Sequence, residues 1–325
     1  MNYNRRTFLR QASLGLSSAL LSPYLFSCES GNSGKGPFQE LGLQLYSIRD
    51  LLKQDPVNSI NTIAKIGYKH VETVGFDVEN PSFWGLSIPE FKKLLKDNKL
   101  QTHTGQYNLR KYLTRGENEQ EHVEKYIEVA HELGQSYIVA PASPMDKLNE
   151  LNSADYQYAA DQLNKLGEMT QKAGIRVAYH NHFWEFRNLG NGTKGLDVLL
   201  AFTDPKLVDF EFDIFWAEKA GISPQTYFER YPGRFPLWHI KDMDRQYTES
   251  IVGKDYDQLD RKLLMEKVRY TEVGSGVINF ERLLPYASKA KLQYAFVEQD
   301  EIYLPNKFKS LKISHDYIIK HLGKR

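Results

Sequence analysis

The stretch "SADYQYAADQLNKLGEMTQKAGIRVAYHNH", Ser153–His182, joins a long amphipathic segment to a short apolar run through a glycine stop at Gly174. Apolar residues at helical spacing, closed by Gly and followed by a short apolar run, predict a helix and then a strand. The same pairing recurs on both sides. Upstream, strands are expected at "LGLQLYS", "HVETVGF", "LQTHTG" and "SYIVAP". Helices are expected at "DPVNSINTIAKIG", "SIPEFKKLLKDNK" (a Ser cap with Pro in its first turn) and "NEQEHVEKYIEVAHELG". Downstream come "GLDVLLAFTD" (helix), "LVDFEFD" (strand), "FPLWHIKD" (strand), "FERLLPYASKA" (helix), "LQYAFVEQ" (strand) and a closing helix "KFKSLKISHDYIIKHL".

Eight strand-then-helix units imply a parallel sheet closed into a single (β/α)8 TIM barrel. A doubly wound open sheet is the alternative, but no GxGxxG follows the first strand. The polar insertion Asp242–Lys267 after the seventh strand is expected to lie over the barrel mouth as a loop with some helix.

The chain has 325 residues, 41% hydrophobic and 26% charged, with a net charge of +1, so nothing in its charge balance calls for nucleic acid. Its 20 tyrosines suit a carbohydrate-handling protein and suit an ordinary core as well. At the N-terminus, "NRRTFLRQ" precedes the short Ser-containing apolar run "ASLGLSSALLSPYLFS". A twin arginine before such a run reads as a Tat export signal, and the run is too short to span a bilayer well. It ends at Cys28, the single cysteine, in a setting that resembles a lipobox. The organisation expected is therefore residues 1–28 as signal with lipidation at Cys28, 29–39 as a flexible tether, and 40–325 as the barrel. The protein would be exported to the periplasm or cell envelope and held to the membrane by lipid alone.

In a barrel of this kind the active site lies at the C-terminal ends of the strands. Polar residues gather there: Glu72 on strand two, His103 on strand three, and His180, Asn181 and His182 on strand five. Strand six carries Glu211 and Asp213, strand seven His239 and Lys241, and strand eight Glu298. Side chains two apart share a face, so Glu211 with Asp213, and His239 with Lys241, would point inward. Phe210, Phe212, Trp238 and Ile240 would then face the helices. Buried charges persist only when paired or bound to metal, so this convergence suggests one divalent cation: Mn²⁺, Mg²⁺, Co²⁺ or Zn²⁺. Taken singly, several of these residues have ordinary structural readings. His103 could be a hydrogen-bonded core histidine, and Glu72 and Glu211 could be buried salt-bridge partners.

Seven segments, "LGLQLYSIRD", "HVETVGF", "YHNHFWEF", "FDIFWAEKAG", "HIKDMD", "EVGSGVINF" and "VEQDE", resemble the sugar phosphate isomerase/epimerase family of xylose isomerase-like TIM barrels. The resemblance runs from Leu41 to the C-terminus. It implies metal ligands at Asp213, His239 and Glu298, with the strand-five position falling on His180, or on His182 as second choice. The epimerases carry Glu there, which puts a symmetric two-glutamate proton exchange in doubt. Glu298 is then the clear proton carrier. Lys241 is the next, on the expectation that burial beside a cation lowers its pKa. The remaining strand-five histidine, Asn181 and Glu185 would bind sugar hydroxyls or orient ligands, and Glu72 and His103 would face the substrate.

The resemblance implies a metal-dependent enzyme that abstracts a proton alpha to a carbonyl of a sugar or keto-sugar, ending in isomerisation or epimerisation. A lyase or hydratase acting by β-elimination on 3-keto-glycosides or inosose-like substrates is the alternative. A non-catalytic, lipid-anchored sugar-binding barrel is a third reading. The trinuclear zinc endonucleases share the barrel but need a basic DNA face. "GSG" at Gly274–Gly276 either cradles a phosphate or makes a turn.

Overall fold

The computed structural model describes residues 36–117, 122–141, 151–190, 192–253 and 255–323. The export signal, Cys28 and most of the tether lie outside the described residues. Among those described, no helix is long and apolar enough to cross a membrane.

Eight strands form a closed barrel: β1 (Gly42–Gln44), β2 (His70–Thr73), β3 (Gln101–Gln106), β4 (Tyr137–Ala140), β5 (Arg176–His180), β6 (Val208–Asp213), β7 (Leu237–Ile240) and β8 (Tyr294–Val297). Each pairs in parallel with its sequence neighbour, and β1 closes on β8 through Gly42 opposite Phe296 and Leu43 opposite Val297. The expected barrel is thus observed, and the open-sheet alternative is excluded by the β1–β8 pairing. Gly42 makes that closure possible. A Cβ there would stand 2.2 Å from the ring of Phe296.

The long helix of the opening stretch spans Ser153–Gln171, capped by Asn152 and Asp155 in a reciprocal box, and the chain then enters β5. Two elements differ from expectation for local reasons. "HVETVGF" leaves the barrel after Thr73, and Phe76–Asp77 pairs instead with Ser82–Phe83 in a small antiparallel sheet completed by Leu86–Ser87. "FERLLPYASKA" begins as a 3-10 helix, Phe280–Tyr286, because Pro285 lacks the N–H that an α-helix interior needs.

Along β6 the alternation is as expected. Phe210 and Phe212 pack outward on Phe235, and Phe212 also on Phe228, while Asp209, Glu211 and Asp213 point inward. The barrel interior is therefore layered. Arg176 and Tyr137 hold Asp209 near the N-terminal end. Tyr137, Val139, Ala178 and Leu237 form an apolar plug. Carboxylates and imidazoles lie above it.

Candidate metal centre and substrate cavity

The strands carry their inward side chains to the C-terminal mouth, and there His180, Asp213, His239 and Glu298 meet. One ligand atom from each lies within 4.8 Å of the others, and all four residues are buried. Two further carboxylates sit directly beneath. His180 bonds Glu211 Oε2 through Nδ1 at 3.0 Å and directs Nε2 toward Asp213 Oδ2, 3.8 Å away. His239 contacts Glu72 Oε1 at 2.9 Å and Glu211 Oε2 at 3.1 Å through Nε2. Its Nδ1 faces Glu298 Oε2 at 2.9 Å and Asp213 Oδ2 at 4.0 Å. Each imidazole thus spends one nitrogen on a deep carboxylate and presents the other to the same small volume. That is how metal-binding histidines are fixed in tautomer and angle.

The donor set fits a divalent cation. It offers two imidazoles and two carboxylates, and Asp213 Oδ2 is a buried oxygen without a hydrogen bond. Of the two strand-five histidines, His180 belongs to the cluster and His182 does not.

Lys241 completes the electrostatics. Its Nζ lies 2.7 Å from Glu298 Oε2, 3.0 Å from Asp213 Oδ2 and 2.7 Å from Asp300 Oδ1. Desolvation opposes its charge, but Asp213, Asp300 and Glu298 outweigh desolvation and hold its pKa well above the ordinary lysine value. The expected lowering is therefore corrected: among these carboxylates Lys241 is a firmly held cation. Burial alone would raise the Glu298 carboxyl, yet Lys241 and His239 keep it well below the usual range. Burial pushes Asp213 up to about 6, with Lys241 and His239 opposing. His180 is driven well below the usual histidine value by burial and by His239, so it is neutral and able to donate a lone pair.

A cavity of about 550 Å³ opens above the cluster. His180, Lys241, Glu298 and Asp300 form its floor, and His182, Trp184, Trp216 and Tyr270 form its walls. His182 stacks on Trp184 (ring centroids 4.4 Å apart, 13° between planes), and the Arg261 guanidinium lies over the Trp184 ring at 5.4 Å. Arg261 lies on the short helix Arg261–Met265, within the insertion after β7, and Met265 and Val268 also face the cavity. The insertion therefore covers the mouth as its polarity suggested.

Several expected substrate contacts lie elsewhere. His103 is the third residue of β3, not its end. It stacks on Tyr294 at the start of β8 (4.4 Å) and beside His70 (4.9 Å), at the opposite end of the barrel. Glu72 lies below the cluster, bonded by Gln44, Gln106 and His239, and does not line the cavity. Asn181 is turned into the wall, where its amide exchanges hydrogen bonds with the backbone N–H and C=O of Asp213 and so fixes the end of β6. Glu185 is fully buried. Its oxygens accept from the Tyr179 hydroxyl, the Trp184 indole and the His182 N–H, and burial raises its pKa to about 7. It shapes the turn after β5 and does not reach the cavity.

The "GSG" segment is a turn whose N–H groups are already taken. Asp242 accepts from Gly274, Gly276, Ile278 and Met243 at 2.8–3.1 Å, and a Cβ on Gly276 would strike Asp242 at 2.2 Å. A side-chain carboxylate thus fills the cradle proposed for phosphate.

Sequence reasoning missed Gln106, Asp300, Tyr270 and Trp216. Asp300 stood inside a quoted motif, and its bond from Tyr270 at 2.8 Å needed the fold to be seen. Gln106 was hidden because β3 runs to residue 106 and not to 105.

A parallel eight-stranded barrel with a buried histidine–carboxylate cluster at its C-terminal mouth defines a TIM barrel with a candidate metal site, and direct comparison narrows the class. The chain belongs to the xylose isomerase-like TIM barrel family, whose model matches residues 60–297. A crystal structure of a sugar phosphate isomerase/epimerase from Parabacteroides distasonis superposes with a TM-score of 0.67. It is 27% identical and covers 91% of this chain and 97% of its own. Inosose dehydratase 2 of Bacillus cereus is 26% identical over 150 residues, 45% of this chain and 47% of that protein. The inosose dehydratase of Clostridium beijerinckii is 29% identical over 133 residues, 40% and 42% respectively. The match spans about half the length of these two relatives. These relatives carry enzyme names, divided between isomerase/epimerase and dehydratase.

Proposed function

We propose that this chain is a metal-dependent enzyme that removes the proton alpha to a carbonyl of a sugar or keto-sugar. The observation that carries the reading is the cluster of His180, Asp213, His239 and Glu298 with Lys241 beside it, of which His180, Glu298 and Lys241 reach one cavity. A divalent ion held by those four residues would supply Lewis-acid polarisation of the substrate carbonyl. Glu298, kept ionised by Lys241 and His239, accepts the alpha proton. Lys241, kept cationic by three carboxylates, donates a hydrogen bond to a neighbouring substrate oxygen and steadies negative charge that develops there. His182, neutral and exposed to the cavity, accepts or donates a hydrogen bond to a sugar hydroxyl.

One feature favours β-elimination over epimerisation. Among the described residues, the carboxylates that line the cavity, Glu298, Asp300 and Glu301, all follow β8. Epimerisation by two carboxylates needs one on each face of the substrate, whereas loss of a β-hydroxyl or a glycosidic oxygen needs one base and one nearby acid. Glu298 supplies the base, and Lys241, 2.7 Å away, the cation that steadies the departing oxygen. The names of the dehydratase relatives support the same reading, and the name of the Parabacteroides structure supports the isomerase reading. We further propose export through the twin-arginine segment and anchoring at Cys28, on the sequence pattern alone.

The test is to incubate metal-loaded protein in D₂O with ketoses, inososes and 3-keto-glycosides, following products by NMR and mass spectrometry. Deuterium at one carbon without mass loss marks isomerisation, and loss of water or of an aglycone marks elimination. Glu298→Gln should cut turnover by about 10²-fold or more while sugar binding persists. A chain that exchanges no proton with any carbonyl substrate, and whose sugar binding is untouched by Glu298→Gln, is a binder and not an enzyme.

A further inference from the structure

The cavity does not end at the metal cluster. Tyr46 and Val74 line it, and the same two residues line a second, open trough of about 620 Å³ on the other side. The trough is built by the excursion after β2. Its walls are Trp84 and Gly75, with Arg49, Asp77 and Ser82 supplying polar groups.

Trp84 sits in the left-handed region at φ +55, a conformation that costs a non-glycine residue roughly 1–3 kcal/mol. Its ring lies against Gly75, itself at φ +79, where a Cβ would come within 2.9 Å of the indole. The turn thus holds a partly exposed indole, its Nε1 buried without a hydrogen-bond partner, against a backbone that only glycine accommodates. At the junction, Tyr46 is 39% exposed and the Arg49 guanidinium covers its ring at 4.2 Å. Arg49 also donates to the backbone carbonyl of Asp300 at 2.6 Å and pairs with Glu301. The junction is therefore tied to the segment that carries Asp300 beside Lys241. Half-exposed aromatic faces next to a few fixed polar groups suit a pyranose, whose axial C–H face is apolar and whose rim is hydroxylated.

We propose that the trough is a second subsite that binds a further sugar ring, so that the substrate is a glycoside of at least two rings, with its reacting ring over the metal cluster and its other ring between Tyr46 and Trp84. This rests on the functional reading above for the reacting ring only; occupancy of the trough can be read from binding alone.

The experiment measures calorimetric affinities of the full-length, metal-loaded protein for glucose and for trehalose, maltose, cellobiose and sophorose. At least one disaccharide should bind 10-fold or more tighter than glucose. Trp84→Ala should reduce that advantage to about onefold. Ser82→Tyr, which fills the trough from an adjacent position, should do the same and guards against a folding defect in the first variant. No disaccharide advantage in the wild type, or an advantage that survives both variants, overturns the subsite. Because no turnover is read, loss of the enzymatic proposal would leave this result standing, and loss of the subsite would leave proton exchange on monosaccharides standing.

Discussion

Replacing Glu211 by Gln probes the metal centre without touching any of its four proposed ligands. Glu211 Oε2 lies 3.0 Å from His180 Nδ1 and 3.1 Å from His239 Nε2, so one oxygen orients both imidazoles. In the variant one carboxylate oxygen becomes an NH2 that cannot accept and the remaining oxygen is uncharged, so the hold on His180, which has no other deep carboxylate, weakens most, while His239 keeps Glu72 at 2.9 Å. Removal of such an outer partner costs about 10–100-fold in metal affinity, which is about 1.4–2.7 kcal/mol. Stability without metal should not fall in parallel. The Glu211 carboxyl is raised well above its usual pKa by burial and by Glu72, and the variant removes that burden. The assay is competition between the protein and a chelator for Mn²⁺ and Zn²⁺, alongside urea unfolding in chelator. His103→Ala, at the far end of the barrel, is the control and should leave metal affinity unchanged. Metal affinity within about twofold of wild type in Glu211→Gln would refute the assignment of this cluster as a metal site oriented from below.

Three further outcomes are expected. Lys241→Met leaves Asp213, Glu298 and Asp300 facing one another without their ammonium, so the metal-free protein should lose about 3–5 kcal/mol in urea unfolding, and added Mn²⁺ should stabilise the variant more than wild type. Asp242→Ala removes one carboxylate from four backbone N–H groups and should cost about 3 kcal/mol, read as a lower urea midpoint with an unchanged slope; a loss under about 1 kcal/mol would mean that water replaces the carboxylate. His70, whose Nδ1 is buried without a partner, has its pKa lowered to about 4 by burial and by His103. The unfolded chain therefore binds the extra proton first, and His70 should contribute a fall of up to about 3 kcal/mol in stability as pH drops from about 6.5 to 4, read as the difference between the wild-type and His70→Phe unfolding curves across that window.

The barrel was legible because its signals are local: helical spacing, glycine stops and short apolar runs recur eight times. The inward face of β6 and β7 was legible too, since a period of two fixes which residues share a face once the strand is placed. Depth along the barrel was not. Whether Glu72 meets substrate or lies beneath the metal ligands depends on the stagger of β2 against β7. His103 was placed at the mouth although it is only the third residue of β3, which runs on through Thr104 and Gly105 to Gln106. The roles of Asn181 and Glu185 turned on which way a post-strand turn folds back. Lys241 was misjudged for an electrostatic reason. Its position was right, but three carboxylates from β6 and the β8 loop converge on it, and their sum outweighs desolvation.

The metal cluster draws all four of its members from the last four strands, whereas Tyr46, Val74 and Arg110, at the rim, come from the first three units. The cavity lining is thus shared between early loops and late ones, whereas the candidate metal ligands come from the late strands alone. Changes of side chain in the early loops can retune which molecule is accepted while the late strands keep their reactive groups intact. A library confined to residues 46–53 and 74–85 is accordingly the economical place to seek altered selectivity.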